Sequence, residues 1–223
     1  MRVELINHMG SDLTVVNSAR VSFDKASDWS KTCTVYMDGS SPQVLKPSDK
    51  NLIDYLAKHN HWTPFSHCQI TLRETVPIFV ARQRFKHTVG FTYNEISRRY
   101  VDSTPEFYIP ENNDWRGKAE NKKQGSSDET IPVNPVLIHE LYNTIKAVYG
   151  KLLYIGVAPE QARMVLPQSM YTSYYVTGSL AAFARAYKLR SSEDAQWEIR
   201  QLASQWNDII QPLYPVSWKA LTS

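Results

Sequence analysis

The sequence has only two cysteines, Cys33 and Cys68. That is too few for a disulfide scaffold or a cysteine-rich zinc site, and two free thiols are the simpler expectation. No apolar run approaches the roughly 18 residues that a membrane span needs. The first ten residues carry Arg2, Glu4 and His8, which breaks any signal-peptide core, so a cytoplasmic protein is expected. The eight glycines lie apart. There is therefore no Gly-x-Gly-x-x-Gly fingerprint and no phosphate-binding loop ending in Gly-Lys-Ser/Thr. His-Glu-x-x-His and Gly-x-Ser-x-Gly are also missing. Any nucleotide must be held by side chains and helix ends. Charge of one sign is scarce too: 25 basic against 22 acidic residues gives +3, which suits a small anionic ligand better than a long nucleic acid.

What is present is ordinary globular material: 42% hydrophobic and 21% charged residues over 223 positions exclude a wholly disordered chain and allow one sizeable domain. Val3 to Ile6 reads as a strand. A helix after Ser48 carries Leu52, Ile53, Leu56 and Ala57 on one face. Residues 69–73 alternate as a half-buried strand, and Pro77 opens a helix. On that helix Arg82 and Lys86, four apart, share a face and repel unless an anion lies there. Residues 112–134 are polar and read as a surface loop. A helix over 136–154 follows, with Leu137, Leu141, Ile145 and Val148 in register, then a short helix over 159–166 and a strand over 170–176. The last long helix starts at Ser191 or Ser192, with Asp194 in a capping-box-like contact, and its stripe is Ala195, Ile199, Leu202, Trp206 and Ile209. There is no βαβ alternation. The expectation is α+β: one domain over 1–223, a mostly antiparallel sheet flanked by long helices.

Three constellations carry possible chemistry. His59, His61 and His67, around Trp62 and Thr63, suit a zinc site, a capped helix end and turn, or hydrogen bonding and stacking on a flat organic ring. No carboxylate or cysteine quartet completes a metal set, so no metal is expected. Arg82-Gln83-Arg84-Phe85-Lys86-His87, followed by Asn94-Glu95-Ile96-Ser97-Arg98-Arg99-Tyr100, is either a solvated basic face or a site for a polar anion such as a nucleoside phosphate. Ser97 has no base fixed beside it by sequence, so it is a weak nucleophile candidate. Arg163 lies in an apolar run, which implies burial against a partner. Arg190 precedes the Ser191/Ser192 cap, so it is expected beside a helix N-terminus, where it either stabilises an anion or pairs with Glu193 or Glu198.

Taken in order, several segments resemble the flavin-dependent thymidylate synthases. They are Ala19 to Phe23, His59 to His67, Pro77 to Gln83, Asn94 to Tyr100, Glu106 to Pro110, Ala162 to Pro167, Leu189-Arg190 and Ala195 to Ile199. The resemblance implies reductive methylation of dUMP to dTMP, with methylenetetrahydrofolate as carbon donor and FAD reduced by NADPH as hydride source. It implies a homotetramer with both ligands where subunits meet, no cysteine nucleophile, and neither nucleic acid nor membrane as partner. By resemblance Arg190 is the catalytic cation. Gln83, Arg84, Phe85, Lys86, Glu95, Ile96, Ser97, Arg98, Arg99 and Arg163 match dUMP positions. Ser22, His61, Thr63, Lys86, His87, Thr88, Asn94, Glu95, Ser179 and Arg185 match flavin positions. The family signature is Arg-His-Arg, seven residues, then Ser. Here Lys86-His87-Thr88 is followed by eight residues before Ser97, an insertion that Gly90 can absorb with an unusual φ. Ser179 and Ala181 stand where the family often has Asn and Arg. The rival readings are an inactive dUMP-binding relative and a single-stranded nucleic-acid binder using the basic cluster and Tyr-rich strand.

Overall fold

The computed structural model describes residues 1–31, 43–111, 114–120 and 125–223. Cys33 lies outside these, as do parts of the polar segment 112–134. In chain order the elements are β1 (Arg2–Met9), α1 (Asp12–Arg20), β2 (Ser30–Lys31), β3 (Gln43–Val44), α2 (Pro47–Lys58), α3 (Thr63–Ser66), β4 (Gln69–Pro77) and α4 (Ile78–Arg84). There follow β5 (Phe91–Glu95), β6 (Arg116–Lys118), β7 (Ser126–Thr130), α5 (Pro135–Tyr154), α6 (Pro159–Ala162), β8 (Tyr171–Ser179), α7 (Leu180–Arg190), α8 (Trp197–Leu213) and α9 (Pro215–Thr222).

The main sheet runs β1-β4-β8-β5, all neighbours antiparallel, which gives the expected α+β architecture. Its two central strands share a phase. Ile70, Leu72, Glu74 and Val76 on β4, and Thr172, Tyr174 and Val176 on β8, are buried, while Arg73 and Tyr175 point to solvent. Strand alternation makes every second side chain a core residue. Leu72 faces Val176, and Glu74 faces Tyr174. The core formed with these strands includes Phe183 of α7, and Ile199, Leu202, Trp206 and Ile210 of α8. No helix among the described residues is long and apolar enough to cross a membrane.

Several expected elements are corrected. Pro77 closes β4 in extended geometry, and α4 ends at Arg84. Lys86 thus lies beyond the helix and does not share a helical face with Arg82. The long C-terminal helix begins at Trp197, after Gln196, not at Ser191. Residues 180–190 form a separate helix, α7, capped by the Ser179 hydroxyl, which accepts from the Ala182 amide at 3.2 Å. Arg190 therefore ends a helix rather than preceding one, and the positive helix N-terminus expected to join it in stabilising an anion is not there. The described part of 112–134 includes the antiparallel pair β6–β7. Helix α5 is present as expected, but its stripe is not core: Leu137 is 63% exposed and Leu141 is 52% exposed.

Glycine is needed for space at Gly90 and Gly178, on either side of the β5–β8 contact. Gly90 has φ +80, and a Cβ there would lie 2.8 Å from the Ala182 Cβ. This left-handed conformation is one that glycine adopts without strain. A Cβ on Gly178 would sit 2.4 Å from the Phe91 ring, so glycine lets β5 lie against β8.

Candidate functional site

The residues matched to dUMP divide into two groups. Glu95, Ile96, Ser97, Arg98 and Arg99, at the end of β5 and in the turn after it, line a cavity of about 940 Å³ together with Phe85 and Arg163. Arg73 of β4 and Arg82 of α4 line it too. Five guanidinium groups around one cleft, against only Glu95 and Glu106, make an anion site. Arg163 is exposed, not buried. The residues Arg163–Val165 form a 3-10 turn that throws the side chain outward, where its Nε donates to the Glu160 carbonyl at 3.2 Å. Glu95 is fixed by Thr172, whose hydroxyl donates to it at 2.5 Å. Ser97 Oγ accepts from the Arg99 backbone N–H at 3.3 Å and from Arg99 Nε at 3.4 Å. Those partners are donors, and among the described residues no base is hydrogen-bonded to Ser97 to make it a nucleophile. Sequence reading missed Arg73. Its only signal was an outward position in the alternation of β4.

The second group lies where the turn after α4 meets the end of α7. Arg190 Nε donates to His87 Nε2 at 2.8 Å, and Arg190 Nη2 donates to the Gln83 carbonyl at 3.2 Å. Two of its nitrogens are thus anchored, and the remaining N–H groups of the fork are left for a ligand. Burial, then the nearby Arg84, lowers the Arg190 pKa. His87 is 8% exposed. Burial, and then Arg190, Arg84 and Arg185, push its pKa from 6.5 down to about 4. It is neutral near pH 7, as an acceptor for Arg190 must be.

Because unfolded His87 binds its proton near 6.5 and the folded residue only near 4, the unfolded state holds more protons between those values. Stability contributed by neutral His87 is present above pH 6.5 and is lost as pH falls toward 4. Replacing His87 with Gln keeps an acceptor and removes the titration. The expected result is a flatter melting temperature between pH 7 and 4.5 than in the native chain, measured by calorimetry. An unchanged pH dependence would mean that His87 is not the group responsible.

Arg84 is corrected. It was matched to dUMP, but it is fully buried. Its Nε donates to both Glu74 oxygens at 3.3 and 3.2 Å, its Nη1 donates to the Tyr93 hydroxyl at 2.6 Å, and its guanidinium lies over the rings of Phe91 and Trp206. A guanidinium inside the core cannot reach a ligand. Ser179 is corrected for a similar reason: it is 7% exposed and its hydroxyl is used in capping α7.

Of the residues matched to flavin, His61 and Arg185 line a second cavity, of about 760 Å³, between α2–α3 and α7–α9. Lys58, Lys188 and Trp62 line it as well, over an apolar floor that includes Leu56 and Phe65. Trp62 is 64% exposed. A flat exposed ring beside three cations, against one carboxylate, Asp54, fits an anionic dinucleotide. Arg185 also bonds the Val89 carbonyl, which ties this cavity to the Lys86–Thr88 turn. Lys86 and Thr88 are exposed in that turn, Ser22 is exposed in a 3-10 turn over 21–23, Thr63 starts α3, and Asn94 is an exposed residue of β5. His59 and His61 pack with Tyr55, at centroid distances of 4.3 and 6.0 Å. Among the described residues no three His, Cys, Asp or Glu side chains gather as a metal set. Cys68 is fully buried, and burial raises its thiol to about 12.

Residues 4–216 match the family described as thymidylate synthase complementing protein. The chain is 36% identical over 222 residues to a flavin-dependent thymidylate synthase of Thermosipho melanesiensis, covering 98% of this chain and 89% of that one. It is 37% identical over 219 residues to the flavin-dependent thymidylate synthase of Thermus thermophilus, covering 98% and 74%. Among solved structures it resembles a UMP/dUMP methylase, PolB of Streptomyces cacaoi, bound with 5-Br dUMP. The TM-score is 0.79 and the identity 28%, over 99% of this chain and 94% of that chain.

Proposed function

The chain belongs to the thymidylate synthase complementing protein family, and from that membership we propose that it is a flavin-dependent thymidylate synthase that methylates dUMP at C5 to give dTMP. The observation that carries the reading is Arg190, a partly desolvated guanidinium held at two nitrogens by His87 and the Gln83 carbonyl. Such a preorganised cation stabilises negative charge where it develops. Beside the pyrimidine it favours the N3-deprotonated ring, which is more electron-rich at C5. No thiol among the described residues can serve instead, since the buried Cys68 stays protonated.

Arg98, Arg99 and Arg163 hold the nucleotide phosphate by charge-assisted hydrogen bonds, Ser97 adds a hydroxyl, and Glu95 accepts from the sugar or base. His61, Trp62 and Arg185 would hold FAD, and Lys58 and Lys188, which line the same cavity, would offset its negative charge. When bound, reduced flavin supplies the hydride, NADPH is its reductant, and methylenetetrahydrofolate brings the carbon.

The whole chain acts as one catalytic domain and assembles as a homotetramer. Two features support the assembly. Gln83, Lys86 and Arg190 stand outside the lining of the arginine-rich cavity that contains Glu95 to Arg99, an arrangement that suits a nucleotide shared between two copies. The apolar side chains of α5, Leu137, Leu141 and Val148, are exposed in a single copy.

The visible absorption spectrum of the purified protein tests the reading. The expected result is a flavin spectrum that bleaches with NADPH at a rate changed by dUMP. A colourless protein that cannot be loaded with FAD, or one whose bleaching ignores dUMP, would overturn it.

A further inference from the structure

A chain of hydrogen bonds runs from the β6–β7 pair to Gln83, and its direction is set at one point. Glu198 is 5% exposed, and its carboxylate accepts from Arg116 Nη2 at 2.7 Å and from Gln196 Nε2 at 2.8 Å. Arg116 is itself held by Ser126 Oγ at 2.8 Å and by the Asp114 carbonyl at 3.1 Å. A carboxylate paired with a guanidinium has acceptors only. Gln196 must therefore turn its NH₂ toward Glu198 and its carbonyl away. That carbonyl takes Gln83 Nε2 at 2.6 Å. Gln83 is left with Oε1, which has no hydrogen bond among the described residues. The two ends of an amide are ordinarily told apart only by their network, and this network has one anchor of fixed polarity.

We propose that Glu198 is a positioning residue for nucleotide binding: acting through Gln196, it orients the Gln83 amide so that its carbonyl oxygen faces the nucleotide and accepts from an N–H or O–H of it. The inference rests on the reading that Gln83 meets dUMP. Gln83 is also the residue whose backbone carbonyl anchors Arg190, so the oriented amide and the catalytic cation are set by one residue. Reversing the relay would place a donor where the nucleotide presents a donor.

The test swaps the polarity and then restores it. In Glu198→Gln the new amide still accepts from Arg116 but offers NH₂ to Gln196. Gln196 then turns its carbonyl to it, and Gln83 presents NH₂ to the nucleotide. In the pair Gln196→Glu with Glu198→Gln, the amide at 198 donates to the carboxylate at 196, whose other oxygen accepts from Gln83 Nε2, and the original direction returns. Calorimetric titration of dUMP into the full chain is expected to show affinity weakened roughly tenfold in the single variant, the effect of one misdirected hydrogen bond. The swapped pair is expected to return to within about threefold of the native chain by the same reasoning. A merely structural Glu198 predicts no rescue, because the swap removes the carboxylate from Arg116. Unchanged affinity in the single variant, or a swapped pair as weak as the single, overturns the inference. If melting curves show the single variant unfolded, the swapped pair decides alone: near-native affinity supports the relay and weakened affinity overturns it. A native chain that binds no dUMP overturns the proposed function, whereas native binding with no effect of either variant overturns this inference alone.

Discussion

Arg190→Ala is expected to lower turnover of dUMP by about 10²-fold or more, the size seen when one preorganised transition-state donor is removed. The protein should stay folded. Arg190 ends α7, is only partly buried, and its loss removes two hydrogen bonds, to His87 Nε2 and the Gln83 carbonyl. The effect should fall on kcat more than on the dUMP dissociation constant, because the cation acts on charge that forms during reaction. Arg190→Lys keeps the charge but loses the two-point anchoring of the fork, so an intermediate rate is expected. Single-turnover measurement of dTMP formation gives the comparison. Native turnover in a folded Arg190→Ala chain would remove Arg190 from the mechanism.

The largest stability effect is expected at Arg84 and Glu74, both fully buried. Glu74 also accepts from the Tyr174 hydroxyl at 2.6 Å and from Trp206 Nε1 at 2.9 Å. Removing one member strands the other charge in the core. Arg84→Met or Glu74→Leu alone is expected to cost about 3–5 kcal/mol. Total stability is only about 5–15 kcal/mol, so either variant is severely weakened. The double variant should cost much less than the sum, since neither charge is then left alone. Urea unfolding of the set checks this. Single variants within about 1 kcal/mol of native would show that the pair is not a structural unit, and would reopen the match of Arg84 to the nucleotide.

Legibility in the sequence followed how local the cause was. The alternation in 69–73 was readable because every second side chain on β4 is core, and β8 was legible as a Tyr-rich strand. It also put Glu74 in the buried phase, yet nothing local says that Arg84 comes to meet it. Helix α7 was missed because β8 runs directly into it, with the Ser179 cap as the only punctuation. The serines at 191 and 192, with Asp194, fit a helix start, but the first of them closes α7: its amide bonds the Tyr187 carbonyl at 2.8 Å. That one ambiguity moved Arg190 from the beginning of one helix to the end of another. Arg163 was misjudged because apolar neighbours were taken as a sign of burial, whereas Met164 beside it is 83% exposed.

By itself the sequence determined the class of fold and the ordered set of segments that mark the family, because strand alternation, helix stripes and motif order are properties of neighbours along the chain. The tertiary structure alone decided which cations are free for a ligand. Arg84 and Arg190 are both arginines beside apolar residues in the sequence. One is closed into the core by Glu74 and two aromatic rings, and the other is set at the end of α7 against a neutral histidine. The ion-pair partner of Arg84 lies 10 residues away and the histidine partner of Arg190 lies 103 residues away, and only packing brings them together.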